Sequence, residues 1–313
     1  MANPEENDTQ CKIPIRFEGE IFATISYTSV AVGGSLGNIF LILVIYRTPS
    51  LRTVCGILIS NVAVADLMVT SVVMPIVVFT LVQGFLGMCL FKILIEITLV
   101  IALFSATASL LTLTMLSVDR CLAICYPLKH KIWMTFTVVK ILVAKTWFES
   151  LILPLMHIFH KKVDETSLLE TLGVGVCYSA IIVSGVLTLR KVRANSMQIG
   201  SLHGGQGRSN MAADLRQRNK QVAKTVALVV LLFSLFWVPI AFVIGFRIRT
   251  GHDDRLYFWC GTLGLANSAV NPWIYFYRQA NYRRGLKLLL GYKTNTTTVV
   301  QPKRTFNTKR NER

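Results

Sequence analysis

The stretch that decides the fold is residues 104–127, FSATASLLTLTMLSVDRCLAICYP. It is a long apolar run that stops at an acid–base pair, Asp119-Arg120. Apolar runs of about 20 residues span the hydrocarbon core of a bilayer, whereas charged side chains are expensive inside it. This stretch is therefore predicted to be a membrane-spanning helix that leaves the lipid at Asp119.

The composition extends this interpretation to the whole chain. Of 313 residues, 53% are apolar and 16% are charged, which is typical of a polytopic membrane protein rather than a soluble one. The net charge of +17 could indicate a nucleic-acid partner. The basic residues instead gather in particular loops and in the tail, as the positive-inside rule describes, so we expect no nucleic-acid binding. No catalytic constellation or zinc-type cysteine spacing occurs, so the sequence predicts neither an enzyme nor a bound cofactor.

Seven apolar runs are predicted to span the membrane as an all-α bundle. They cover residues 21–46, 53 to a QGFLG turn at 83–87, 88–122, 136–159, 168–192, 219–247 and 256–277. The basic segments then fall on one side, which places the N-terminus outside and the C-terminus in the cytoplasm.

Four domain regions follow from this topology. We predict an extracellular head (1–20), a seven-helix domain (21–277), an amphipathic helix on the inner membrane surface (278–290) and a disordered basic tail (291–313). A glycosylation sequon at Asn7 agrees with an outside N-terminus.

An ordered set of polar and aromatic residues resembles the rhodopsin-like (class A) G-protein-coupled receptors over about residues 20–290. The set lies on six helices and consists of Asn38, Asp66, Asp119-Arg120, Trp147, Trp237-x-Pro239 and Asn271-Pro272-Trp273-Ile274-Tyr275. The resemblance implies a plasma-membrane receptor with a heterotrimeric G protein, arrestin and receptor kinases as partners. The alternatives are an ion-coupled transporter or proton channel and a receptor-like protein that does not signal. Transporters often carry internal repeats, and no repeated half is visible here.

The resemblance also implies how a signal is passed on. Asp119 holds Arg120 at rest, and Arg120 is freed to meet the G protein. On the last span, Pro272 follows Asn271 and removes a backbone hydrogen bond, which makes a hinge about which Tyr275 can swing. In the sixth span, a switch is implied by Phe233, Trp237 and Pro239, where a bulky aromatic lies beside a proline kink.

Four residues match the sodium pocket of that family and make Na⁺ an expected allosteric ion at Asp66. The four are Asp66, Ser109, Asn267 and Asn271. Polar side chains inside lipid face one another or a hydrated cavity. Hydrogen bonds between helices are the alternative explanation.

The sequence indicates mainly which classes of ligand are not expected. Ala102 stands where amine receptors carry an aspartate, and Leu265 stands where opsins carry the retinal lysine, so a biogenic amine and retinal are not expected. The predicted pocket walls favour an apolar group on a small-molecule, lipid or peptide ligand. They comprise Ile95, Leu99, Ala102, Ala106, Ile240, Phe242 and Ile244. The short second outer loop and the absence of a proline in helix five favour the melanocortin, cannabinoid and lysophospholipid receptors as a subgroup.

Two further pairings are predicted. Cys11, Cys89 and Cys260 lie near the outer face, and one pair among them could form a disulfide, although the sequence does not say which. Lys145 and Glu149 are four residues apart in the fourth span and share a helix face. We predict that they form a structural ion pair rather than a ligand site.

Overall fold

A computed structural model describes residues 17–86, 92–159, 163–199, 217, 221, 224–225, 227–240, 242–243 and 254–292. Within these ranges the chain is helical, with short turns and no strand. The helices are α1 Phe17–Arg47, α2 Val54–Phe85, α3 Lys92–Cys125, α4 Pro127–Trp133, α5 Phe136–Ser150, α6 Ile152–Phe159, α7 Val163–Ile199, α8 Ala227–Ile240, α9 Asp254–Arg278 and α10 Ala280–Leu289.

A helix lies at each of the seven predicted spans, with α5 and α6 together forming the fourth. In the described part of the chain, four helices are long and apolar enough to cross a membrane, namely α1, α2, α3 and α7. The short helix α10 lies at the predicted amphipathic segment. Two differences are clear: α7 continues to Ile199, seven residues beyond its predicted end, and α4 forms in a segment where no helix was predicted. Pro127 begins α4, a position where the missing N–H of proline costs no hydrogen bond.

Helix α2 changes its winding in its middle. Residues Val69–Val73 form a π-helical segment, and Pro75 follows Val73 by two residues. A proline cannot donate the backbone hydrogen bond of a regular helix, and both prolines and π-bulges are sites where helices kink. The segment follows Asp66 by less than one turn, so it helps to set where α2 turns its polar side chains.

The larger buried core lies at the end of the bundle that carries Arg120, here called the Arg120 end. It joins α1, α2, α3 and α9 through fully buried side chains such as Leu41, Leu58, Leu113 and Tyr275. A smaller cluster around Tyr27 and Val73 fills the opposite half. Tyr275 therefore belongs to the larger of the two buried clusters among the described residues.

Helices α1 and α9 approach closely because α1 carries glycine at the contact. A Cβ atom added at Gly37 would lie 2.8 Å from Pro272 Cγ and 3.2 Å from Trp273 Nε1. Such distances leave no room for a methyl group unless the proline moves.

We expect Gly37→Ala to lower the thermal unfolding midpoint of the purified chain by about 2–10 °C, the range for overpacking by one methyl group. Gly33→Ala is the matched control, since a Cβ there meets no described atom within 4 Å. The midpoint of Gly33→Ala should stay unchanged or rise slightly, because alanine favours a helix. Equal midpoints for the two variants would show that the α1–α9 contact is looser than the structure indicates.

Candidate functional site

A buried carboxylate with two cationic or polar partners lies at the Arg120 end. The Asp119 side chain is fully buried and accepts a hydrogen bond from Arg120 Nε at 2.8 Å, in addition to an ion pair with Arg120 Nη2. His130 of α4 places Nε2 2.7 Å from the other carboxylate oxygen, Oδ1. Because a carboxylate only accepts, Nε2 is the donor. The carboxylate thus holds Arg120 and fastens α4 to α3 at once.

Asp119 contacts Arg120 as the family resemblance implied, whereas His130 is a site residue that sequence reasoning missed. It lies eleven residues after Asp119 and reaches it because α4 begins directly after Tyr126, the residue that separates α4 from α3. A histidine in a basic loop segment gives no sequence signal of such a contact.

Tyr275 of the seventh span packs against α10 at the Arg120 end of the bundle. Tyr275 is fully buried, and its ring lies 5.8 Å from that of Tyr282. Among the described residues, no hydrogen-bond partner reaches the Tyr275 hydroxyl. Burial raises the pKa of the Tyr282 phenol, so this side chain is neutral near pH 7. An unsatisfied buried hydroxyl is costly, so Tyr275 has a physical reason to move to a polar partner.

The four predicted sodium-site residues come together in the middle of the bundle. Asn271 Nδ2 donates to Asp66 Oδ2 at 2.7 Å, and Asp66, Ser109 and Asn267 line one cavity of about 10 Å³. That volume holds about one water-sized particle. Ser105 also lines the cavity and was missed, although its spacing of four residues from Ser109 places both on one face of α3.

The donor set around this cavity fits a sodium ion. Four buried oxygens have no hydrogen-bond partner within the described ranges: Ser105 Oγ, Ser109 Oγ, Asn267 Oδ1 and Asn271 Oδ1. With the carboxylate of Asp66 they form a set of hard oxygen ligands, which are those that hard cations prefer. A cation would also compensate the buried carboxylate charge.

The predicted aromatic switch lies directly against this cavity. The ring of Trp237 lines it and stacks on Phe233, with 5.8 Å between ring centroids and 25° between planes. Phe233 is buried, and Pro239 follows two residues after Trp237 in α8. Movement of the Trp237 ring would therefore change the shape of the polar cavity.

A second buried network is structural. Asn61 of α2 donates to Thr112 Oγ1 at 2.8 Å and accepts from Trp147 Nε1 at 2.9 Å, which ties α2, α3 and α5 together. This explains why a tryptophan stands in the fourth span.

The predicted ligand-pocket residues are only partly brought together. Ala102 and Ala106 line the described cavity, and Leu99 is half-buried on α3. Ile240 is buried, whereas Phe242 is 71% exposed. Phe242 and Ile95 are not among the residues that line this cavity, and Ile95 is 49% exposed, so their place in the ligand pocket stays a prediction.

Several expectations fall on residues outside the described ranges: Asn7, Cys11, Cys89 and Ile244. Within the described part, Cys260 carries a free thiol. The disulfide among the outer cysteines therefore stays a prediction, with Cys11 and Cys89 as the remaining candidates.

Comparison with known proteins agrees with this geometry. The sequence profile of the family described as 7 transmembrane receptor (rhodopsin family) matches residues 37–178 and 166–275. Similar proteins include bovine (Bos taurus) somatostatin receptor type 5, 25% identical over 303 residues, which cover 86% of this chain and 76% of that receptor. Rattus norvegicus somatostatin receptor type 3 is 27% identical over 86% of this chain and 68% of its own. The alpha-1A adrenergic receptor of Oryzias latipes is 27% identical over 82% and 64%, respectively.

Proposed function

Because the chain belongs to the rhodopsin family of seven-transmembrane receptors, we propose that it converts binding of an extracellular ligand into G-protein activation through Arg120. Members of this family are multi-pass membrane receptors and not enzymes, and they signal through heterotrimeric G proteins. The proposal concerns which residues of this chain carry that signal.

The observation that carries the proposal is the state of Arg120. Its side chain is 10% exposed and its guanidinium is bound to Asp119, whose second oxygen contacts His130. This arrangement suits a resting state in which the G-protein contact is withheld. Ligand binding would shift a pre-existing equilibrium toward a state in which α8 has moved and Arg120 is free.

We propose that the protein lies in the plasma membrane with the Arg120 end of the bundle facing the cytoplasm. Basic side chains at this end, such as Arg47, Arg52, Lys129 and Arg283, support it. The domain division is proposed accordingly, with residues 1–20 outside, 21–277 spanning, 278–290 along the inner surface and 291–313 as a cytoplasmic tail. Arrestin and receptor kinases are proposed as further partners on that side.

We propose a ligand that is neither a biogenic amine nor retinal. Ala102 lines the described cavity without offering a charge to an ammonium, and Leu265, also at the cavity, offers no amine to retinal. A small-molecule, lipid or peptide ligand remains in the proposal. The lean toward melanocortin, cannabinoid and lysophospholipid receptors gains no support from the relatives above, which are named for somatostatin and as adrenergic.

We expect that at least one heterotrimeric G protein dissociates in cells that express the chain. The measurement is energy transfer between G-protein subunits for a panel of α-subunits, with and without libraries of lipids, peptides and small molecules. Cells with empty vector set the background. Normal surface expression without any response from any subtype would contradict the proposal.

A further inference from the structure

A charged pair lies on the outer surface of the bundle at mid-span. Lys145 and Glu149 of α5 form the predicted ion pair, and their side chains are 62% and 39% exposed. They follow Phe136, the first residue of α5, by nine and thirteen residues, or about 13 and 20 Å along a span of about 36 Å. Both charges therefore lie at the depth of the hydrocarbon core, on a face where lipid would be the neighbour.

The Lys145 side chain does not lower the cost of a charge in the hydrocarbon core by extending its ammonium to the membrane surface. Long cationic side chains near lipid usually extend toward the closer interface. Here the ammonium of Lys145 points to Glu149, one turn farther from the Arg120 end. An ammonium has three donors and a carboxylate about four acceptor positions, so one ion pair leaves most of this capacity unused. A polar partner on this face would be strongly favoured over lipid tails.

We propose that this face of α5 is an interface with a second copy of the same chain. The pair has no net charge and is self-complementary. A two-fold axis along the membrane normal brings Lys145 of one copy toward the partner's Glu149, and the reverse contact forms by symmetry. The vertical offset of one turn, about 6 Å, is within the reach of a lysine side chain. Residues of the same number lie at the same depth in such a dimer, so the two Lys145–Glu149 contacts between the copies run diagonally and the four charges sum to zero.

The surroundings of the pair suit such a contact. Ala144 is exposed next to Lys145, and small residues let helices approach closely in membranes. Ile141 and Phe148 are 63% and 75% exposed on the same side and would pack around the charges. An anionic lipid headgroup is a poorer occupant, because it would compensate Lys145 and repel Glu149. A foreign membrane-spanning helix would fit this face only if it carried a base and an acid at the same spacing as Lys145 and Glu149.

The test uses purified chain in vesicles of neutral phosphatidylcholine, where no other protein and no anionic lipid is present. Copies carry donor and acceptor dyes on the C-terminal tail, and energy transfer is followed as the vesicles are diluted with lipid. Lys145→Gln/Glu149→Gln removes both charges without leaving one unpaired. We expect it to raise the half-maximal receptor density for transfer about fivefold or more, as loss of interhelical polar contacts in lipid implies. Lys140→Gln is the matched control, since this exposed lysine lies five residues away and about 140° around the helix.

Charge exchange makes the test specific for a second copy. Lys145→Glu gives one copy two acids, and Glu149→Lys gives another copy two bases. We expect weak transfer for each variant alone and recovery to the wild-type level when they are mixed. If either variant fails to fold, the neutral double variant still decides. Transfer at the random-collision level for the wild type, or unchanged transfer in the neutral variant, would overturn the proposal and leave an anionic lipid or a foreign helix as the occupant.

Discussion

Replacing Asp119 by Asn is expected to raise ligand-free G-protein activation about fivefold or more. The amide keeps the shape of the carboxylate but removes the charge that holds Arg120 and attracts His130. Breaking a buried ion pair of this kind is strongly destabilising to the state that contains it. A loss of only about 1–2 kcal/mol from the resting state multiplies the active population about 5–30-fold, as long as that population is small. The measurement is nucleotide exchange on purified G protein at matched receptor density.

Two further variants show whether this gain comes from the contact itself. His130→Ala removes one of the two partners of Asp119, so we expect a smaller rise. Lys129→Ala is the control, because Lys129 lies over the rings of Tyr126 and Trp133 on the other side of α4 and does not touch Asp119. Exchange at the wild-type rate in Asp119→Asn, with normal surface expression, would show that this pair does not restrain the receptor.

Replacing Asp66 by Asn is expected to abolish stabilisation by sodium. In the wild type, exchanging KCl for NaCl should raise the thermal unfolding midpoint by a few degrees. Sodium at a concentration of about ten times its dissociation constant stabilises the folded state by about 1.4 kcal/mol. The variant keeps the size of the side chain and loses the charged oxygen donor that Asp66 supplies at the cavity. Ligand-free exchange should also fall with NaCl in the wild type only.

Thr112→Val is the control for the sodium experiment. It disturbs the buried network of Asn61 and leaves the cavity intact, so its sodium response should match the wild type. A wild-type midpoint that does not depend on sodium would refute the ion site. A response that persists in Asp66→Asn would place the ion elsewhere.

The sequence predicted the features that depend on one helix at a time. Span positions follow from apolar length. The juxtaposition of Asp66, Ser109, Asn267 and Asn271 joins three helices and was expected from the family resemblance. The Lys145–Glu149 pair follows from helical spacing. Which residues share one face of a helix depends only on their spacing along the chain, so this property can be derived from the sequence.

Features that depend on the rotation or packing of elements were not predictable. His130 reaches Asp119 only because α4 forms in a segment where no helix was predicted. The π-helical segment before Pro75 shifts the phase of α2 without any sequence marker of its length. Likewise, helical spacing gives the Lys145–Glu149 contact but not the exposure of that pair.

The central claim is that Arg120 transmits the signal to the G protein. The most direct measurement is ligand-free nucleotide exchange by the wild type, by Asp119→Asn and by Asp119→Asn/Arg120→Ala at equal surface density. Asp119→Asn/Arg47→Ala controls for the loss of an exposed arginine at the same end of the bundle. Our account predicts raised exchange in Asp119→Asn, raised exchange in the control and background exchange once Arg120 is also removed. Raised exchange that survives the removal of Arg120 would contradict it.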